Sequence, residues 1–266
     1  MKFGICTSFR NIPQLNEISF DYLEESVQRF LIPEQPQEDF EELLHAIRQF
    51  PFPVEAANSL LPSNLLLVES PSQHVDRPRL EQYMRTALQR AEQAGIRIFV
   101  FGSGPARACP ADIDKAAAAQ QLAAHLATWS GWAREHGVQI VLEPLRYEET
   151  NIFNTVAEGG AMVSGIANSG ARLLADVYHM ACNGEDPESI LPYSSILSHV
   201  HVAEKQERAA PGHHGEDFRP YFSALHRAGY DQRISIECNW SNFATEVTPA
   251  LAELRTQWIE SSKQAV

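Results

Sequence analysis

Eight times along this chain a short apolar run of five to eight residues is followed by turn chemistry and, in most cases, by a segment of helical periodicity. The runs cover residues 3–7, 20–26, 54–58, 96–102, 138–145, 171–177, 196–203 and 233–238. The helical segments cover residues 39–50, 77–94, 112–136, 155–169, 187–196, 218–228 and 245–261. Phe40, Leu43, Leu44 and Ile47 share one helical face, as do Val247, Leu251, Leu254 and Trp258. Gly95, Gly137, Gly170 and Gly229 stand where helices should stop.

Consecutive strands joined through helices must run parallel, because a parallel pair cannot be closed by a tight turn. Eight units in 266 residues, about 33 residues each, match the size of a strand–helix–strand unit. That count, in a chain near ~250 residues, favours a closed barrel over an open doubly wound sheet. The open sheet would want a phosphate-binding glycine loop after the first strand, where this chain has TSFRN. The expected fold class is therefore α/β, a (β/α)8 TIM barrel. No linker or composition shift divides it, so a single domain over 1–266 is expected.

Lys and Arg number 21 against 34 Asp and Glu, a formal charge of −13. Such a field repels phosphate backbones and anionic membranes, so no nucleic acid and no membrane partner is expected. The four cysteines, Cys6, Cys109, Cys182 and Cys238, are widely spaced and read as reduced packing residues. The N-terminus turns polar by Thr7, and no run approaches the roughly 18 apolar residues of a membrane span. A cytoplasmic location is the expectation.

In a parallel barrel the C-terminal strand ends form the active face. Glu143 ends VQIVL, Asp176 ends ARLLA, His201 ends LSHV and Glu237 ends RISI. Alternation along each strand puts Val141 and Gln139 on the face of Glu143, His199 on that of His201, and Ser235 on that of Glu237. One such residue alone reads as a helix cap or a satisfied polar group. Three carboxylates and an imidazole on four consecutive strands would repel one another unless a cation lay among them. Oxygen donors plus one nitrogen suit one divalent cation, Mn2+, Mg2+, Co2+ or Zn2+.

The stretches LEPLRYEETNIFNT (142–155), LLADVYHM (173–180), HVHVAE (199–204) followed by an arginine and a PG turn (208–212), and SIECNW (235–240) resemble the sugar isomerase/epimerase superfamily of xylose isomerase-like TIM barrels, and within it the ketose 3-epimerases. FGSGPAR at 101–107 is similar to the loop after the fourth strand in many members. The resemblance makes Glu143, Asp176, His201 and Glu237 the metal ligands. It makes Glu143 and Glu237 also the catalytic acid/base pair, moving a proton next to a carbonyl through an enediolate. Glu149 and His179, the latter from the loop after the sixth strand, would bind substrate, and Arg208 would close over it. Trp240 is read either as an aromatic face for a sugar or as a rim packing residue.

Glu24 and Asn58, at the ends of the second and third strands, stand where a substrate could be contacted or read as polar loop residues, the latter favoured for Glu24, and His213 with His214 read as a solvated pair on a mobile loop. The implied reaction is isomerisation or epimerisation of a small sugar, a ketose or related polyol-derived substrate. Rival readings are a metal-dependent dehydratase of an inosose or dehydroshikimate type, an abasic-site endonuclease, and a non-catalytic sugar-binding barrel. Arg107, Arg146 and Arg208 are the few cations near the expected mouth, which favours a free sugar over a phosphate ester. A homo-dimer or homo-tetramer is compatible with such a barrel, though no interface pattern stands out.

Overall fold

The computed structural model describes residues 1–263. Eight parallel strands close in sequence order: β1 (Lys2–Cys6), β2 (Tyr22–Ser26), β3 (Val54–Asn58), β4 (Ile98–Phe101), β5 (Gln139–Leu142), β6 (Arg172–Asp176), β7 (Leu197–Val202) and β8 (Arg233–Ile236). β8 pairs back onto β1, with Gly4 opposite Ser235, so the expected closed barrel is present. Outside it lie α1 (Gln37–Ile47), α2 (Arg77–Ala94), α3 (Gly104–Arg107), α4 (Lys115–Glu135), α5 (Val156–Gly165), α6 (Val177–Asn183), α7 (Arg219–Arg227) and α8 (Phe243–Ser262). None of the described helices is long and apolar enough to cross a membrane.

Side-chain alternation divides the core in two. Ile140 and Leu142 join the large apolar layer between strands and helices, while Val141 turns inward with Tyr22, Ala56, Ile98, Val100 and Leu174. These six residues form a buried cluster of their own. At its N-terminal end Glu55 is bracketed by Lys2 Nζ at 2.5 Å and Arg233 Nε at 2.6 Å, two cations that offset a mostly buried carboxylate. Gly4 is needed at mid-height, because a β-carbon there would run into the Tyr22 ring. With glycine at that point, Tyr22 can cross the interior and bring its hydroxyl to Ser235 Oγ, 2.7 Å away.

The helices begin where their caps demand. Asp76 accepts from the backbone N–H of Arg79 to start α2, and Asp114 accepts from that of Ala116 to start α4. Gly95, at φ 80°, ends α2 in the left-handed region that glycine adopts at little cost.

Several boundaries differ from the sequence reading. β5 stops at Leu142, because Pro144 has no N–H to continue the ladder. The helix expected over 155–169 is α5 followed by a separate 3-10 turn, Ala167–Ser169. The segment Pro187–Ile196 is a 3-10 helix with Pro192 inside it. Only a 3-10 turn, Phe9–Gln14, follows β1. The loop expected after β6 is instead helix α6, capped by Asp176 itself.

Candidate active site

The four strand-end residues meet at the C-terminal mouth. One ligand atom from each of Glu143, Asp176, His201 and Glu237 lies within 4.8 Å of the others, a group that could hold a metal ion. Register brings them together. Asp176 sits opposite His201 in the β6–β7 pairing, and His201 opposite Ser235 in β7–β8. A register shift at Leu173/Leu174 sets the first of these alignments, as irregularities beside functional sites often do.

His201 is the hub. Its Nδ1 lies 3.1 Å from Glu143 Oε1 and 3.3 Å from Glu237 Oε2, while its Nε2 lies 2.9 Å from Glu24 Oε1. Burial alone would depress this imidazole, but the charges of Glu24 and Glu237 and the contact with Glu143 outweigh it and raise it well above the usual value. Glu143 moves upward, through burial first and then through the nearby Glu237 and Asp176 charges, against the pull of His201. Glu237 is also penalised by burial, yet His201 and Arg208 bring it down to about 2.

Asp176 uses one oxygen as a helix cap and keeps the other free. Oδ1 accepts from the N–H of Tyr178 at 2.7 Å and of His179 at 3.4 Å. Oδ2 is buried without a hydrogen-bond partner. A buried carboxylate oxygen left unpaired is costly, so this donor set fits a cation, which Oδ2, His201 Nδ1 and the two glutamates would hold. His179, on α6 and not in a loop, accepts from the Arg146 N–H at Nδ1 over 3.3 Å. Its proton is then on Nε2, which is buried, has no hydrogen-bond partner and lies 3.5 Å from Asp176 Oδ2.

Arg208 roofs the group. Its guanidinium bonds Glu237 through both the Oε2 carboxylate oxygen and the backbone carbonyl, and lies 3.7 Å from Asp176 Oδ2 and 3.8 Å from Glu149 Oε1. It also stacks over the Tyr178 ring at 4.6 Å. Glu149 is held by Arg146 Nε at 2.8 Å. Trp240 packs edge-on against Phe243, with ring centroids 5.6 Å apart, and its Nε1 is buried without a partner. A mouth pocket of about 250 Å³ is lined by Cys6, Glu24, Asn58, Ser59, Arg208 and Glu237, among others. A larger depression of about 520 Å³ lies away from these acids, outside the barrel against α4 and α5.

Two residues set aside as loop polar groups belong to this assembly. Glu24 is fully buried and accepts from His199 Nε2, His201 Nε2 and Ser235 Oγ. Burial would raise it, but the two histidines hold it far below the usual carboxylate range. Asn58 Nδ2 donates to Glu237 Oε1 over 2.7 Å. The signal was available in YLEES, where alternation places Glu24 on the opposite face from Leu23.

Arg107 also differs from expectation. It is buried and donates to the carbonyls of Phe101 and Phe153, so it does not present a cation to the mouth. His213 and His214 lie 3.2 Å from Glu246 and Glu207 respectively, on partly open surface as expected. Their loop is tied down: the buried Glu204 carboxylate accepts the N–H groups of Gly212, His214, Gly215 and Glu216. All four cysteines are free thiols.

The sequence matches the model of the xylose isomerase-like TIM barrel family over residues 12–262. The chain belongs to that family. An L-ribulose 3-epimerase of Methylomonas sp. (strain DH-1) is 31% identical over 175 residues, 65% of this chain and 57% of that protein. The match therefore spans a little over half the length of that relative. Among solved structures, the apo form of the 3-keto-D-glucoside 4-epimerase YcjR from E. coli superposes with a TM-score of 0.76 at 20% identity, covering 96% of this chain and 99% of that one. The IOLI protein, crystallised with a zinc atom, gives a TM-score of 0.74 at 16% identity over 100% and 99% of the two chains. At these identities the structures share the fold.

Proposed function

We propose that this xylose isomerase-like barrel is a divalent-cation-dependent isomerase or epimerase of a small sugar, moving a proton at a carbon next to a carbonyl. The observation that carries the reading is the convergence of Glu143, Asp176, His201 and Glu237 within 4.8 Å of one another at the mouth. The 3-epimerase and 4-epimerase names of the two relatives, and the zinc atom of the third, support the same class.

When bound, the cation would supply positive charge against the oxyanion that develops as the proton leaves. Glu143 and Glu237 are the acid/base pair, one withdrawing the proton and the other returning one from across the substrate. Asn58 and Arg208 engage both Glu237 oxygens and fix the plane of that carboxylate. His179 offers its free Nε2–H to a substrate oxygen, and Glu149 with Arg208 binds hydroxyls from the rim. Trp240 remains the candidate aromatic face at that rim. With Arg107 buried, Arg146 on Glu149 and Arg208 on Glu237, few cations remain for a phosphate, so an unphosphorylated ketose is the preferred substrate. Mn2+, Mg2+, Co2+ and Zn2+ all suit the oxygen-rich donor set.

The test is proton NMR in D2O across a panel of free ketoses, with and without added Mn2+. Deuterium should enter both product and recovered substrate at the carbon beside the carbonyl, and only with the cation. Loss of a hydroxyl in place of exchange would establish a dehydratase. Exchange that ignores every divalent cation would overturn the scheme.

A further inference from the structure

The isomerase reading gives no task to Glu24, a fully buried acid of β2. We infer that Glu24 is a positioning residue that keeps the His201 proton on Nε2 and so turns the Nδ1 lone pair toward Glu143 and Glu237. The inference rests on the cation centre proposed above.

Hydrogen counting leads to it. Glu24 Oε2 lies 2.8 Å from His199 Nε2 and 2.7 Å from Ser235 Oγ, and Oε1 lies 2.9 Å from His201 Nε2. An ionised carboxylate only accepts, so each of the three neighbours donates. Ser235 thereby spends its single hydrogen on Glu24, and Tyr22, 2.7 Å from Ser235 Oγ, must donate to it. The whole buried chain therefore points one way, from Tyr22 through Ser235, and from both histidines, into one acid.

A histidine whose Nε2 hydrogen is given away can present Nδ1 as an acceptor. That atom faces Glu143 Oε1 at 3.1 Å and Glu237 Oε2 at 3.3 Å, two oxygens with no hydrogen to give when ionised. Electron-rich atoms so arranged need positive charge between them, either a proton on Nδ1 or a bound cation that takes its place. A carboxylate behind a ligating imidazole fixes both its tautomer and its ring plane. The chain makes room for this. Gly4 lets Tyr22 cross the barrel, and the β2–β3 pairing shifts register at Leu23/Glu24 just as the strand reaches the acid.

Two measurements test it. In protein labelled with 15N at histidine and loaded with Zn2+, His201 should carry its proton on Nε2 and ligate through Nδ1; a proton on Nδ1 would overturn the inference without any variant. In Glu24→Gln an amide N–H2 must face at least one donor, so Mn2+ affinity measured by titration should fall roughly 10- to 100-fold. Unchanged affinity in a folded Glu24→Gln protein would refute the role while leaving the centre intact. Wild-type protein that binds no Mn2+ would remove the centre itself and the inference with it. If Glu24→Gln does not fold, the wild-type spectrum decides.

Discussion

Gly102 lies against the Glu143 carboxylate so closely that a β-carbon at that position would meet Oε2 well inside van der Waals contact. The two residues follow paired strand ends, with the Glu143 N–H donating to the Phe101 carbonyl over 3.2 Å. A small residue after β4 is thus what lets the proposed acid or base of β5 stand where it does. Gly102→Ala should move that carboxylate by a fraction of an ångström to an ångström. We expect kcat/KM to fall by roughly 100-fold, as such misplacements do, with only about 1–3 kcal/mol of lost stability. Kinetics beside urea unfolding separate the two effects. Wild-type kinetics in the alanine variant would show that the Glu143 position is not used.

Glu143→Gln and Glu237→Gln should each remove most activity, on the order of 10³-fold or more, while the barrel still folds. Glu143→Gln removes a charge that burial and the neighbouring acids disfavour, so stability should hold or rise, whereas Glu237→Gln gives up the charge that Arg208 and His201 favour and should cost some stability. The informative readout is the deuterium exchange. If the two acids serve opposite faces of the substrate, each variant still exchanges at the face of the acid it keeps while net epimerisation stops. A fully active Glu237→Gln variant would sink the pairing.

How far the sequence could lead is visible in these residues. The strands were legible because apolar runs and period-two alternation are local properties, and so were the four strand-end residues. Helix α6 was not: seven residues give too short a period, and its cap, Asp176, already read as a strand end. Glu24 was missed for a different reason. Alternation in YLEES separates it from Leu23, but its partner His199 lies 175 residues away in sequence, so nothing local shows that its face is the one buried against histidines. Gly102 and Gly4 read as ordinary turn and strand glycines until the side chains opposite them were placed.

Arg208 owes its reach to an uncommon backbone. Glu207 and Arg208 both lie in the left-handed region, at φ 61° and 51°. Asn239 secures them, its N–H bonding the Arg208 carbonyl at 2.7 Å and its side chain the Glu207 carbonyl at 3.1 Å. Arg208→Lys keeps the charge and loses the planar fork that meets Glu237 twice and stacks on Tyr178. We expect kcat to fall about tenfold or more with KM raised, and Asn239→Ala to show a weaker version of the same change. A lysine variant with wild-type kinetics would confine Arg208 to a structural role.

The loop that carries Arg208 depends on Glu204. Four backbone N–H groups converge on its buried carboxylate, at 2.6 to 3.3 Å. Glu204→Gln replaces one acceptor oxygen by an amide that also donates, leaving at least one loop N–H unpaired. The expected cost is about 2–4 kcal/mol of stability in urea titration, together with reduced activity. Protease cleavage within residues 205–216 should increase well before global unfolding. An intact loop in the variant would place its order elsewhere.

Glu25 gives a pH test clear of the proposed ligands. Its carboxylate is buried and accepts the Phe9 N–H at 2.5 Å and the Ser26 N–H at 3.1 Å. Burial outweighs those bonds and pushes it up from 4.5 to about 7. The folded protein therefore holds this proton up to about pH 7, whereas the unfolded chain releases it near 4.5. Between those values the folded state binds more protons, so the contribution is present in full below pH 4.5 and is lost as pH rises through 7. From pH 5 to pH 8 the loss amounts to about 2 to 3 kcal/mol. Glu25→Gln is neutral throughout and can still accept from Phe9. Urea unfolding of the two proteins at pH 5, 6, 7 and 8 should show the wild type losing ground to the variant by that amount, and a difference that stays constant would mean that Glu25 is ionised in the fold across the whole range.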